Sequence, residues 1–217
     1  MFLYKYRSMA TDDDLRKLRE ILANQQLHCS EYRDLNDPFE GQFLFLREAT
    51  IEEDDRIIGQ INTPITDPYF THFPSRDAEI RAVLGPNPPR ICSLCSCPLN
   101  MRMWSLYSDS HAGVAIEISA EGLGAEKVTY HRGLPRIDAV PIDASYRRDI
   151  LLKKTRDWAY EKEFRLLKDQ EKADIRGRIT RILLGCRFEK EAELTEILGG
   201  IPTHRIKLDR ARAKLSM

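Results

Sequence analysis

The opening stretch FLYKYR, residues 2–7, alternates aromatic or apolar side chains with polar ones. Successive side chains of a β-strand point to opposite faces of its sheet. The stretch is therefore predicted to be a strand with Tyr4 and Tyr6 on one face and Lys5 and Arg7 on the other. The rest of the sequence predicts the helices and strands that would pack against this strand.

The segment after this strand carries the signals of a helix. Thr11 is suited to cap a helix N-terminus, three aspartates follow it, and apolar residues then recur at helical spacing to about Asn24. Further along, Asn36-Asp37-Pro38 predicts a turn, because proline restricts the residue before it and both polar side chains can bond nearby backbone.

Other regions carry strand and helix signals of the same kind. Further strands are predicted at residues 27–30, 91–96, 113–119, 128–131, 139–143, 161–167, 179–184 and 205–209. Further helices are predicted at residues 51–60, 76–84, 99–107, 147–158 and 189–198. Because strands and helices are mixed without a regular strand–helix–strand rhythm, we predict an α+β fold. It is a single domain over residues 1–217, with a mainly antiparallel sheet flanked by helices and a Pro-rich surface excursion at about 50–90.

The overall charge is zero, with 34 Lys and Arg against 34 Asp and Glu. The charge is unevenly spread: residues 1–144 hold 15 basic and 22 acidic side chains, and residues 145–217 hold 19 and 12. The basic last third is compatible with an anionic ligand, and equally with simple attraction between two parts of one fold. No apolar run approaches the roughly 20 residues that a membrane helix needs, so we expect a cytoplasmic protein without membrane contact.

Five cysteines are present, three of them in CSLCSC at residues 92–97. A structural zinc site needs a second pair of ligands at comparable spacing, and the five histidines do not form one. We therefore predict no metal, and a buried strand that uses cysteine as a small apolar residue in a reducing compartment.

Five short clusters of polar and aromatic residues follow one another along the chain. They are YKYR (4–7), NDPFE (36–40), SLC (93–95), MWSLY (103–107) with His111 and Gly113, and YEKEFR (160–165). Over nearly the whole chain their order resembles the bacterial family named domain of unknown function 2971. That family name implies no activity, so the chemistry must be argued from the residues.

In an extended YEKEFRL segment, Glu161, Glu163 and Arg165 share one face. Two neighbouring carboxylates raise each other's proton affinity unless a cation compensates, and Arg165 is placed to do so. An ionised carboxylate beside a developing oxocarbenium ion is a common means of breaking glycosidic bonds, and the N-glycosidic bond of NAD ionises similarly. Lys5 and Arg7 can bind phosphates.

The MWSLY helix brings aromatic rings to a common face. Trp104 and Tyr107 lie three residues apart, and His111 follows four residues later if the helix continues. Rings at this spacing can sandwich a planar group such as nicotinamide.

An arginine on an early strand, a serine on a middle strand and a late Glu-x-Glu together look like the pattern of ADP-ribosyltransferases. That resemblance implies that Arg7 binds the NAD phosphates, that Ser93 supports the nicotinamide-side pocket or the glutamate, and that Tyr107 stacks on nicotinamide. Glu163 would be the catalytic glutamate and Glu161 the helper that selects or activates the acceptor. Further candidate cofactor-binding residues are Lys5, Tyr6, Trp104 and Arg165, and further motif residues are Asn36, Asp37, Glu40 and His111.

The leading hypothesis is thus an NAD-using transferase or NAD-cleaving enzyme, in a toxin or defence role, with NAD as substrate, no metal, and an acceptor that is protein or nucleic acid. Two alternatives stay open: a non-enzymatic module whose basic last third binds nucleic acid or an acidic partner, and a hydrolase using Asp37, Glu40 and the Glu161/Glu163 pair around a divalent ion. Each motif also has a structural interpretation, as a surface ion-pair ladder, core aromatics, a turn or an edge strand.

Overall fold

The computed structural model describes residues 1–45, 83–134, 136–137 and 144–217. Their strands are β1 Phe2–Arg7, β2 Gln26–His28, β3 Leu44–Phe45, β4 Arg90–Cys95, β5 Val114–Ser119, β6 Glu126–Lys127, β7 Thr129–His131, β8 Arg136–Ile137, β9 Lys153–Thr155, β10 Glu163–Lys168, β11 Lys172–Asp174, β12 Ile179–Leu184, β13 Thr203–Arg205, β14 Lys207–Asp209 and β15 Lys214–Ser216. The α-helices are α1 Asp12–Asn24, α2 Met101–Tyr107, α3 Ala144–Ile150 and α4 Glu191–Thr195, with 3₁₀ helices at Tyr32–Asp34 and Arg156–Glu161.

Within these ranges the main sheet has seven strands in the order β13-β12-β5-β1-β4-β10-β6. All neighbours are antiparallel except β12 and β13, which are parallel. Four two-stranded pairs, β2 with β11, β3 with β8, β7 with β9 and β14 with β15, surround it. A mixed α/β chain with a mostly antiparallel sheet and few helices is confirmed.

Strand β1 joins the two halves of this sheet. It pairs with β5 along all six of its residues, and β4 pairs with β10 along all six of its own. Between β1 and β4, in contrast, Tyr4 and Cys95 form a single pair. Beyond that pair the two strands diverge, which opens the sheet toward Arg7 and Arg90.

Helix α1 covers one face of the sheet, and its start agrees with the sequence. The Thr11 hydroxyl accepts a hydrogen bond from the Asp14 amide, while the Asp14 carboxylate accepts one from the Thr11 amide. The helix buries Leu18 and Leu22 against apolar residues of the sheet such as Leu3. Burial of this apolar stripe, more than helix propensity, holds a helix of this length in place.

The opposite face of β1 packs on helix α2. Tyr4 and Tyr6 are buried there, as the alternation of FLYKYR predicts, together with Trp104 and Cys95. The Tyr6 and Trp104 rings meet edge to face with centroids 5.1 Å apart. Helix α1 therefore covers one face of the main sheet and helix α2 covers the other. The candidate site lies between β1 and β4, where these two strands diverge.

Several predicted elements differ from the structure. The helix predicted at 147–158 ends at Ile150. A turn at Leu151 and Leu152 follows it, and the chain then forms β9 and a 3₁₀ helix. The predicted 189–198 helix is α4 alone, and the predicted last strand at 205–209 is divided between β13 and β14. Outside the described residues lie the helix predicted at 51–60, residues 76–82 of the helix predicted at 76–84, the strand predicted at 139–143 and the excursion up to residue 82. Residues 83 and 84 are helical. No helix in the described part of the chain is long and apolar enough to cross a membrane.

Two glycines permit close backbone contacts beside the end of β1. A Cβ atom on Gly113 would lie 2.2 Å from the Arg7 carbonyl oxygen, and one on Gly185 would lie 2.0 Å from the His111 carbonyl oxygen. The Gly185 amide also donates a hydrogen bond of 3.0 Å to the Gly113 carbonyl. These loops can approach each other only without side chains at the two positions.

We expect Gly185→Ala to lower the free energy of unfolding by about 1–3 kcal/mol, because the new methyl group meets backbone that cannot rotate away. Urea denaturation measures the change. Gly133→Ala is the matched control, since nothing lies within 4 Å of its Cβ position, and it should change stability by less than about 0.5 kcal/mol. Equal effects of the two substitutions would contradict the contact.

Candidate functional site

The opening between β1 and β4 forms a cleft of about 260 Å³, which we call the first cleft. Residues from both halves of the sheet, from the turn after β2 and from helix α2 line it. Of the residues singled out in the sequence, those that line it are Lys5, Tyr6, Asn36, Ser93, Tyr107, Glu161 and Glu163. The structure thus brings together side chains from all five sequence clusters, together with Lys154.

A sharp bend places the two glutamates of the last cluster. Glu161 ends a 3₁₀ helix, Lys162 adopts a left-handed conformation with φ 45°, and Glu163 begins β10. The Lys162 carbonyl accepts hydrogen bonds from both the amide and the hydroxyl of Ser96, each 3.1 Å. The sequence predicted one continuous strand from residue 161; the bend corrects that prediction, although the two carboxylates still lie on the same side.

Lys154 connects the two carboxylates. Its ammonium donates to Glu161 Oε2 at 2.6 Å and lies 3.2 Å from Glu163 Oε2. All three side chains are buried, with the Lys154 side chain 6% exposed. Burial lowers the pKa of Lys154, but Glu163 and Glu161 outweigh that effect and raise it above the ordinary value. Lys154 is therefore charged at neutral pH.

Tyr107 lies at the mouth of the cleft. Asn100 caps the start of α2, accepting hydrogen bonds from the amides of Arg102 and Met103. The Tyr107 hydroxyl at the other end of the helix donates to Glu161 Oε1 at 2.6 Å and accepts from the Asn36 amide at 3.3 Å. Burial, with the adjacent carboxylate, raises the pKa of Tyr107, so it stays a hydrogen-bond donor.

Glu163 is the more enclosed of the two carboxylates, 3% exposed. Its Oε1 accepts from Arg165 Nε at 2.9 Å, and its Oε2 accepts from a terminal nitrogen of the same guanidinium at 3.2 Å and lies 3.2 Å from the Lys154 ammonium. Burial acts to raise the pKa of Glu163, but Arg165 and Lys154 overcome it and lower the pKa to about 2. The carboxylate is ionised at any physiological pH.

Arg165 lies behind Glu163 and has no exposed surface. It donates to both oxygens of Glu40, at 2.6 and 2.7 Å, and to the Leu151 carbonyl at 2.5 Å. The turn that carries Glu40 is built as the sequence predicts, with the Asp37 carboxylate accepting from the Phe39 amide at 2.8 Å. Asp37 and Glu40 thus shape and anchor the turn, and Arg165 lies beneath the cleft and does not line it.

A second cleft, of about 500 Å³, adjoins the first and shares Lys5 and Ser30 with it. The Lys5 ammonium lies across the divergence and donates to the Ser93 carbonyl at 3.0 Å. Half-buried Arg7 lines this second cleft and not the first, and its guanidinium forms no hydrogen bond with the rest of the described chain. Tyr107 and Glu163 therefore share one cleft, and Arg7 lies in its neighbour.

The two clefts differ in charge. Carboxylates exceed cations in the first, with Asp34, Glu161 and Glu163 against Lys5 and Lys154. Cations exceed carboxylates in the second, with Lys5, Arg7, Arg16, Lys17 and Lys172 against Glu20 and Glu171. A ligand that spans both would meet a negative end and a positive end.

Two predicted ring contacts do not belong to the cleft. Trp104 is fully buried and donates its indole N–H to the Pro98 carbonyl at 2.7 Å, so it is a core residue. Helix α2 ends at Tyr107, and residues 109–111 have positive φ angles, which turns His111 off the helix. Its main chain instead contacts Trp104 and Arg187.

Sequence reasoning missed Lys154 and Tyr130. Lys154 stands in a basic pair that is typical of a solvated surface, and the Tyr130 hydroxyl, which accepts from the Glu163 amide at 2.9 Å, stands in a short strand without a motif. Neither carries a local signal of its role. In the described part of the chain, no three His, Cys, Asp or Glu side chains are grouped so that they would hold a metal ion.

The lowered pKa of Glu163 predicts a pH dependence of stability. The ionised group stabilises the fold above its ordinary pKa of 4.5, and this contribution is lost as the pH falls toward about 2. We expect it to amount to about 3 kcal/mol. Urea denaturation between pH 6 and pH 2.5 should show a shallower acid loss for Glu163→Gln than for the unsubstituted protein; parallel curves would contradict the assignment.

Comparison with known proteins finds no match: no family model, no curated protein and no solved structure matches this chain. The resemblances that the motifs carry stay predictions.

Proposed function

We propose that the protein uses NAD, breaking the bond between nicotinamide and ribose and transferring the ADP-ribosyl group to an acceptor. The observation that carries this proposal is the pair of oppositely charged clefts that meet at Lys5. The nicotinamide ring of NAD is a cation and its diphosphate is an anion. The excess carboxylates of the first cleft complement the ring, and the cations of the second complement the diphosphate.

The volume of the first cleft agrees with this division of the ligand. At about 260 Å³ it lies just below the usual range for small-molecule pockets, about 300–1,000 Å³. It therefore suits one part of a dinucleotide, namely nicotinamide and its ribose, with Tyr107 as the aromatic wall. The larger second cleft then takes the diphosphate against Lys5 and Arg7.

The chemistry follows from an ionised Glu163. As the ribose C1′–N bond breaks, its electron pair leaves with nicotinamide, which becomes neutral, and positive charge develops on the ribose as an oxocarbenium ion. A fixed carboxylate stabilises that charge where it develops. The acceptor then donates a lone pair to C1′, and Glu161 takes its proton. Water in place of the acceptor would give NAD hydrolysis.

Binding requires exchanges in the existing hydrogen bonds. Both Glu161 oxygens are occupied, by Tyr107 and by Lys154, and Arg165 and Lys154 contact Glu163. The ribose hydroxyls would replace the 3.2 Å approach of Lys154 to Glu163. Arg165 stays in place beneath, because Glu40 holds it from the far side.

The motif order supports the further proposal that the fold is ADP-ribosyltransferase-like and that the chain is related to the domain of unknown function 2971 family. Four members of the predicted set line one cleft, namely Ser93, Tyr107, Glu161 and Glu163. The role given to Arg7 is adjusted, since it would reach the diphosphate from the neighbouring cleft.

We expect the full-length protein to release nicotinamide from labelled NAD, alone or with lysate, protein or nucleic acid as acceptor. Glu163→Gln should lower that rate at least about 100-fold while the chain stays folded, because a neutral amide cannot balance the oxocarbenium charge. The matched control is Glu193→Gln, at an exposed position on α4, which should leave the rate unchanged. No nicotinamide release and no label transfer under all these conditions would refute the proposal.

Arg7→Met tests the second cleft. Losing a charge-assisted contact to phosphate should raise the Michaelis constant for NAD about 10-fold or more, with little change in turnover number. Arg7 makes no side-chain hydrogen bond within the described ranges, so the substitution breaks none of those. Arg19→Met, on the exposed side of α1, is the control. Equal Michaelis constants for the two variants would remove Arg7 from the site.

A further inference from the structure

Two cysteines face each other across a short bridge between the segment after β2 and strand β4. Ser30 and Ile91 exchange both backbone hydrogen bonds, at 2.9 and 2.8 Å, and form an antiparallel bridge. Hydrogen-bonded and non-hydrogen-bonded pairs alternate along such a ladder, so Cys29 and Cys92 form the next, non-hydrogen-bonded pair. Opposed Cα atoms in such a pair lie about 4.5 Å apart, which is within the range that a disulfide spans, about 4.4–6.8 Å.

The two thiols share one enclosed environment. Both side chains belong to the core beneath α1 and have no exposed surface. The Cys29 thiol opposite it and the nearby Lys5 ammonium lower the pKa of Cys92, while the Cys92 thiol and burial raise the pKa of Cys29. Cys92 is therefore the more acidic thiol of the pair.

Few hydrogen bonds hold the segment that separates these two cysteines from solvent. Strand β2 has three residues and pairs only with the three residues of β11 in the described structure. Its residues Leu27 and His28, and Ser30 after them, form part of the wall of the second cleft. Opening a segment held by so few hydrogen bonds costs much less than global unfolding, so small molecules can reach the thiols from the native state.

We propose that Cys29 and Cys92 are a redox-modification site that hydrogen peroxide oxidises to an intramolecular disulfide. The Cys92 thiolate attacks peroxide, forming a sulfenic acid and releasing hydroxide, which takes up a proton to give water. The Cys29 sulfur then attacks the sulfenic sulfur, forms the S–S bond and displaces a second hydroxide, which takes the Cys29 proton. Two thiols and one peroxide thus give one disulfide and two waters.

The other cysteines lack this arrangement. The Cys95 sulfur contacts the backbone amide and carbonyl of Cys97, at 3.3 and 3.4 Å, and burial raises its pKa to about 12. Cys186 lies beside Gly185, at the far end of β12. Oxidation should therefore be selective for one pair among five thiols.

The disulfide would link Ser30 to Ser93 through their neighbours, and both serines line the first cleft. It would fix the wall of that cleft to β4. This inference does not depend on NAD chemistry, and its test measures thiols and stability without reference to activity.

The experiment treats the reduced full-length protein with a few equivalents of hydrogen peroxide, then alkylates it with N-ethylmaleimide under denaturing conditions. We expect the loss of two alkylated thiols out of five, a cross-linked peptide containing Cys29 and Cys92, and full reversal by dithiothreitol. Five alkylated thiols, irreversible oxidation alone, or a cross-link at other cysteines would overturn the proposal.

Thermal unfolding of the untreated and oxidised protein gives a second readout. A cross-link that matches the native register should raise the unfolding midpoint by about 5 °C or more, because it closes a long loop of the unfolded chain. Cys29→Ser should abolish both the cross-link and the rise, whereas Cys186→Ser should keep both. An unchanged or lower midpoint after cross-linking would contradict the register.

Discussion

The structure around the site depends on one buried guanidinium. Arg165 has no contact with solvent, so its charge must be neutralised within the protein, and an unpaired charge there would cost several kcal/mol. Glu40 from the turn after β2, Glu163 from β10 and the carbonyl of Leu151 together satisfy it. Arg165 thereby ties the turn that carries Glu40, 125 positions earlier, to strand β10 and to the segment after α3. Arg165 donates to both oxygens of Glu163, and the Oε2 atom also faces Lys154, which lines the first cleft.

The parts of the fold that follow from local rules could be predicted from the sequence. Alternation placed Tyr4 and Tyr6 on the covered face of β1, and the Thr11 capping pattern marked the start of α1. Strand β9 was missed because its sequence, KKT, has no apolar alternation. The contact between Glu40 and Arg165, which are 125 positions apart, depends on long-range packing that no local sequence pattern encodes.

In the candidate site, too, local motifs predicted some residues, and others could not be predicted from the sequence. Glu161, Glu163 and Tyr107 were found through their motifs, but Lys154 was not, because a lysine beside another lysine is typical of exposed surface. The zero net charge also conceals the local charge pattern. The acidic first two-thirds supplies Lys5 and Arg7, the basic last third supplies Glu161 and Glu163, and folding separates these charges into two adjoining clefts of opposite sign.

The single pair between β1 and β4 has a mechanical consequence. On either side of it, the β1–β5 and β4–β10 ladders have six pairs each, but between β1 and β4 Tyr4 and Cys95 are the one matched position in the described strands. The sheet is therefore most easily deformed between β1 and β4. One half can twist against the other without breaking the hydrogen bonds of the β1–β5 or the β4–β10 ladder. Because the first cleft lies between these two strands, a twist of one half of the sheet against the other changes its width.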